Sequence, residues 1–151
     1  MSYHNNFGKR YIKSPKVYFT DTGLACYLLG IRDKETLSKH YLIGGLFENL
    51  CIIEIHKRIL NSGVNASLYY FRDSNNNEVD LVVDTGTKQI PVEMKSSATF
   101  TRAYGKGIRY WKSVAPNAGN QSGFIIYNGD EKHENSEFSL INWRELNQIV
   151  L

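Results

Sequence analysis

The stretch EVDLVVDTGTKQIPVEMKSS, Glu78–Ser97, holds two apolar runs of period two around the turn TGTK. Alternation of that kind throws successive side chains to opposite faces of an extended chain, which a helix does not do. The stretch therefore reads as a β-hairpin with strands EVDLVVD and QIPVEMKS. In the first strand Val79, Leu81 and Val83 share one face and Glu78, Asp80, Val82 and Asp84 the other. In the second, Ile90, Val92 and Met94 oppose Pro91, Glu93 and Lys95. The apolar faces need cover. The charged faces need a reason.

Cover comes from the rest of the chain. GGLFENLCIIEIHKRIL reads as the strongest helix, from Gly44 or Gly45 to about Leu60, with NSG as its stop. Before it, residues 1–15 read as an extended arm, KVYFT as a short strand, TGLACYLLG as a helix capped by Asp21, and DKETLSKHY as another short helix. SLYYFR precedes the hairpin as a third strand, across the turn DSNNN. After it come a helix over Thr101–Val114, weakened by Gly105 and Gly107, and the loop APNAGNQS. The strand GFIIYN, apolar on both faces, the edge strand EFSLIN and the closing helix WRELNQIV complete the chain. Helix, three strands, helix, strand is an α/β order, a central mixed β-sheet flanked by helices. Residues 16–151 fit a single domain, since a chain of 151 residues buries roughly 68–70% of its unfolded surface.

Several classes are excluded or weakened. No run approaches the ~18 apolar residues of a membrane span, and no signal peptide stands at the start, so a cytoplasmic protein is expected. Cys26 and Cys51 lack metal-ligand spacing and read as free thiols, and His4, His40, His56 and His133 form no spaced pair for zinc. Neither a phosphate-binding glycine loop nor a nucleophile elbow is present. The net charge of +3 permits a nucleic-acid partner without arguing for one.

The charged positions are then weighed individually. Asp80 and Glu93, on neighbouring strands, are expected on one surface, where two carboxylates suit Mg²⁺ (or Mn²⁺) completed by water and phosphate. A half-exposed strand with a solvated acidic face is the plainer alternative. Lys95 should share that surface; its ordinary pKa of ~10.4 suits charge stabilisation or orientation of a water better than base catalysis, and a surface Glu–Lys pair is the bland reading. Glu48 emerges from the apolar stripe Cys51, Ile52 and Ile55, which suggests a functional partner, although a helix start also favours acids. Arg102, Lys106 and Arg109, with Lys112 a turn on, form either a phosphate-tracking stripe or a solvated helix face. Arg72 is a further candidate phosphate contact. Lys9, Arg10, Lys13 and Lys16 make a second basic patch.

A helix acid (Glu48), a strand Asp (Asp80) and a Glu-x-Lys (Glu93, Lys95) thirteen positions on resemble the PD-(D/E)XK nuclease superfamily, with its restriction-endonuclease-like core. Val79 stands where that pattern often has proline. Over most of the chain, SPKVYFTDTGLACYLLG, GGLFENLCIIEI, YYFRDSNNNEVDLVV and IPVEMKSS resemble the uncharacterised C-terminal domain of bacterial and archaeal AAA-type ATPases. The resemblance implies that Asp80 and Glu93, with Glu48, ligate a divalent metal for phosphodiester hydrolysis of DNA. It also implies an ATPase module in the same longer chain. The alternative it carries is a catalytically silent interaction, regulatory or DNA-binding module of that ATPase.

Overall fold

The computed structural model describes residues 15–115 and 122–149. The arm 1–15, except Pro15, lies outside these residues, as do Lys9, Arg10 and Lys13 of the second basic patch. Three helices come first: α1 (Thr22–Leu28), capped by Asp21; α2 (Lys34–Lys39), capped by Asp33; and the long α3 (Ile43–Ser62). Helix α3 ends at Gly63, whose φ of 70° is a left-handed C-cap that a side chain would resist. Strands β1 (Ser67–Arg72), β2 (Glu78–Asp84) and β3 (Gln89–Lys95) follow as an antiparallel meander. A single 3₁₀ turn (Arg102–Gly105) leads into α4 (Lys106–Val114), which carries the chain to β4 (Gly123–Tyr127), parallel to β3. Strands β5 (His133–Glu134) and β6 (Phe138–Asn142) and a 3₁₀ segment (Trp143–Gln148) close the described chain.

The six strands form one mixed sheet in the order β1-β2-β3-β4-β6-β5. One face packs on α3, where Cys51, Ile52 and Ile55 meet Leu81, Val83, Ile90, Val92 and Met94. On the other face, Trp111 of α4 packs with Phe71, Val79 and Val82, and Ile108 with Ile125, Tyr127 and Leu140. Strand β4 is covered on both sides, as its apolar run implies.

The sequence reading departs from this fold in four places. KVYFT forms no strand: the backbone N–H and C=O of Phe19 pair with the side-chain amide of Asn49 on α3, at 2.8 and 2.9 Å, instead of with another strand. EFSLIN is not at the edge, because the two-residue β5 covers it. The helix expected over Thr101–Val114 is broken into a 3₁₀ turn and α4. The closing helix is 3₁₀ rather than α.

The DSNNN turn between β1 and β2 is built on Asp73, whose side chain is fully buried. Its carboxylate accepts the N–H groups of Asn75 and Asn77 at 2.8 and 3.0 Å, the Asn77 amide, and the Tyr110 hydroxyl of α4 at 2.5 Å. Burial alone would push this carboxyl up, but the hydrogen bonds from Tyr110, Asn77 and Asn75 outweigh it and hold the pKa below the usual value. The stabilisation is therefore complete above the unfolded-state pKa of ~3.9 and fades as pH falls through the lower folded value. Asp73→Ala should lower stability by about 3 kcal/mol, because it strips a buried set of donors of their acceptor. Urea unfolding at pH 7 measures this, and a loss below about 0.5 kcal/mol would contradict the assignment.

Candidate active site

Hairpin register alone would set Asp80 across from Glu93, since Leu81 pairs with Val92 and Asp84 with Gln89. Here β2 does not run on regularly. Tyr69 pairs with Val82 and Phe71 with Val79, so Asp80 and Leu81 together face the single residue Tyr70. Two residues against one is a β-bulge, which re-aims side chains. Strict alternation, with Val79 beside Leu81 and Val83, is thus corrected: Val79 packs with Val82 under α4. Asp80 swings toward α3 and lines a pocket with Lys16, Tyr18, Ile52 and Tyr70, while Glu93 stays on the α4 side.

The two carboxylates nevertheless meet, at Lys95. Its ammonium donates to Glu93 Oε2 at 2.6 Å and to Asp80 Oδ2 at 3.3 Å. Asp80 Oδ2 also accepts the backbone N–H of Met94 at 2.8 Å. Both acids are nearly out of solvent, with Asp80 7% and Glu93 5% exposed. Burial, then the negative charge of Asp80, pushes the Glu93 carboxyl up to about 8, against the opposing pull of Lys95. Burial disfavours the Lys95 ammonium, but the neighbouring Asp80 and Glu93 charges win and push it up to about 12. Lys95 is accordingly held in its charged form.

Glu93 and Lys95 form the floor of an open pocket of about 210 Å³, whose rim includes Asn77, Glu78, Lys106 and Tyr110. Gly107 explains why α4 comes so close. A Cβ there would fall on Glu93 Oε1 and on the Glu78 carbonyl oxygen, so only glycine lets the helix start over the carboxylate. A residue that weakens the helix in sequence terms is the one that shapes the pocket.

The remaining predicted residues divide. Glu48 Oε1 accepts from Lys16 Nζ at 3.0 Å and from the Tyr18 hydroxyl at 2.9 Å. Among the described residues no three His, Cys, Asp or Glu side chains are grouped closely enough to hold one metal ion, so Glu48 does not join Asp80 and Glu93 in a three-acid cluster. Asp80 and Glu93 do converge on a single cation, the Lys95 ammonium, and two hard carboxylates are a donor set that Mg²⁺ accepts. Of the expected basic stripe only Lys106 reaches this pocket. Arg102 and Arg109 line a separate groove with Phe100, His133 and Glu137, and Arg109 is paired with Glu137 at 3.1 Å. Lys112 donates to the Ser136 carbonyl. The 3₁₀ turn changes the helical phase between Arg102 and Lys106, so the stripe is not one face. Arg72 donates to Asn76 across the turn at 2.9 Å and lies 3.9 Å from Glu78.

Sequence reasoning missed Tyr18, which lies close enough to both Glu48 and Asp80 for each to act on it. Burial first, then Glu48 and Asp80, raise its phenol far above the ordinary range. The alternation of Lys16 and Tyr18 against Val17 and Phe19 was the available signal. Among the described residues no helix is long and apolar enough to cross a membrane.

Comparison with known proteins bears on family. Residues 43–146 match the model of a domain of unknown function, DUF4143, and residues 1–35 match that of a second one, DUF8612. Relatives include the uncharacterized protein Mb2031c of Mycobacterium bovis and the uncharacterized protein Rv2008c of Mycobacterium tuberculosis. Each is 33% identical over 94 residues, which is 62% of this chain and 20% of the relative. The chain thus spans about a fifth of the length of these relatives. With the DUF4143 match extending from the start of α3 through β6, the chain belongs to the DUF4143 family.

Proposed function

We propose that Asp80, Glu93 and Lys95 form a Mg²⁺-dependent phosphodiesterase centre acting on DNA, in a restriction-endonuclease-like domain that ends a longer AAA-type ATPase. The observation that carries this reading is the convergence of two buried carboxylates on one cation, the Lys95 ammonium, with Glu93 reached from the pocket beside α4 and Asp80 from the pocket beside α3. The much greater length of the relatives is consistent with a further module in the same chain. In this reading Asp80 and Glu93 hold Mg²⁺ or Mn²⁺, with Glu48 as an outer acid. An ion held there would supply Lewis-acid polarisation of the scissile phosphate and an acidified water. To hold the ion Glu93 would release its proton to solvent, since burial and Asp80 keep it protonated near neutrality. Lys95 stays charged and stabilises the negative charge that develops on the phosphoryl oxygens. Lys106 is poised for a phosphate at the same pocket, Arg72 for one beyond the β1–β2 turn, and Arg102 and Arg109 for the flanking backbone.

The test is conversion of supercoiled plasmid in Mg²⁺, compared with EDTA and with Glu93→Ala and Lys95→Ala. Metal-dependent cleavage lost in both variants is the expected result. Undiminished cleavage by either would remove that residue from the site.

A second reading, a silent interaction module, is favoured by one observation. Val17, Phe19 and Leu28, each more than half exposed, line an apolar groove of about 520 Å³. Plasmid left intact by the parent chain in Mg²⁺ and in Mn²⁺ would favour it.

A further inference from the structure

The strap Pro15–Thr20 lies outside the DUF4143 match, yet it binds Glu48 and lines the pocket that contains Asp80. Its residues alternate as an extended chain does: Val17 is 87% exposed, whereas Lys16 and Tyr18 turn inward to Glu48. Two consecutive side chains of α3 grip it. Asn49, itself buried, binds both backbone groups of Phe19 and the Thr22 hydroxyl at 2.7 Å, and Glu48 receives Lys16 and Tyr18. Both donors meet on the same oxygen, Oε1. Among the described residues Oε2 accepts no hydrogen bond, so the strap holds Glu48 through one oxygen.

Lys16 and Tyr18 also line the pocket that contains Asp80, as well as the groove that contains Glu48. They are thus shared by the cavity of the β2 acid and the groove of the α3 acid. We propose that Tyr18 is a positioning residue of the metal site: with Lys16 it clamps Glu48 through Oε1 and orients that acid toward the Asp80–Glu93 pair. The working site is then assembled jointly from the segment matched to DUF8612 and from the DUF4143 domain. The inference rests on the divalent-metal reading above.

Groups that orient metal-site acids without touching the ion typically change metal affinity by roughly 10–100-fold when removed.

The experiment is calorimetric titration of the whole chain with Mn²⁺ alone, without nucleic acid. Tyr18→Phe should weaken binding about tenfold while leaving the thermal midpoint within a few degrees. Glu48→Gln should weaken it by a similar factor, and the double variant should be no weaker than the worse single, because both act through one carboxylate. Lys16→Arg, which keeps a cationic donor, should bind within about threefold of the parent. If Tyr18→Phe binds Mn²⁺ as the parent does, or if its loss adds in full to that of Glu48→Gln, the positioning role is overturned. If the parent itself takes up no Mn²⁺, the metal reading fails and this inference falls with it.

Discussion

Lys95→Ala is expected to cut Mg²⁺-dependent plasmid cleavage by about 10²–10³-fold in kcat, the usual effect of removing one preorganised charge that stabilises a transition state. Lys95 follows Glu93 by two residues on β3, so both side chains leave the strand on one side. Its ammonium lies 2.6 Å from Glu93 and 3.3 Å from Asp80. Those charges push its pKa up to about 12, so it is a cation near neutral pH. Alanine removes that cation but no metal-ligating oxygen. The loss should therefore appear in single-turnover cleavage at saturating Mg²⁺, with Mn²⁺ affinity unchanged or higher. Equal losses in affinity and rate would assign Lys95 to holding the carboxylates rather than to the reaction.

Gly107→Ala is expected to destabilise the domain by about 1–3 kcal/mol. In an ordinary exposed helix the same change stabilises by about 1 kcal/mol. The sign reverses because the added methyl would land on Glu93 Oε1 and the Glu78 carbonyl oxygen. The carboxylate could rotate, but the carbonyl belongs to the backbone of β2 and cannot. Relief would require α4 to lift from the sheet, opening the contacts of Trp111 and Ile108, which are fully buried. Thermal unfolding measures the effect directly. A raised midpoint would contradict the close approach of α4 to Glu93.

Much of the fold was legible because its signals are local. The apolar stripe of α3, its glycine stop and the alternation of β3 each follow from spacing and side-chain type. The bulge in β2 was not legible: EVDLVVD has the same hydrophobic pattern with or without an extra residue opposite Tyr70. Its presence decides which side Asp80 faces. KVYFT has strand composition, but its backbone partner is the Asn49 side chain, a tertiary choice that no propensity encodes. Register placed Asp80 across from Glu93, but that the two acids reach Lys95 from different pockets was not readable from it. The tie between Glu48 and the strap was not, since it joins residues about 30 positions apart through side chains alone. The basic stripe misled because Gly105 and the 3₁₀ turn shift the helical phase between Arg102 and Lys106.

The most direct test of the site is Mn²⁺ affinity as a function of pH. Burial and Asp80 raise the Glu93 pKa to about 8, so below that pH the ion must displace a proton, and above it need not. Affinity should therefore climb by about tenfold per pH unit from pH 6 toward 8 and then level off, with proton release on binding over the same interval. Glu93→Gln should abolish both the slope and most of the affinity. An affinity independent of pH from 6 to 8, or a Glu93→Gln protein that binds Mn²⁺ as well as the parent, would contradict a metal site at Asp80 and Glu93.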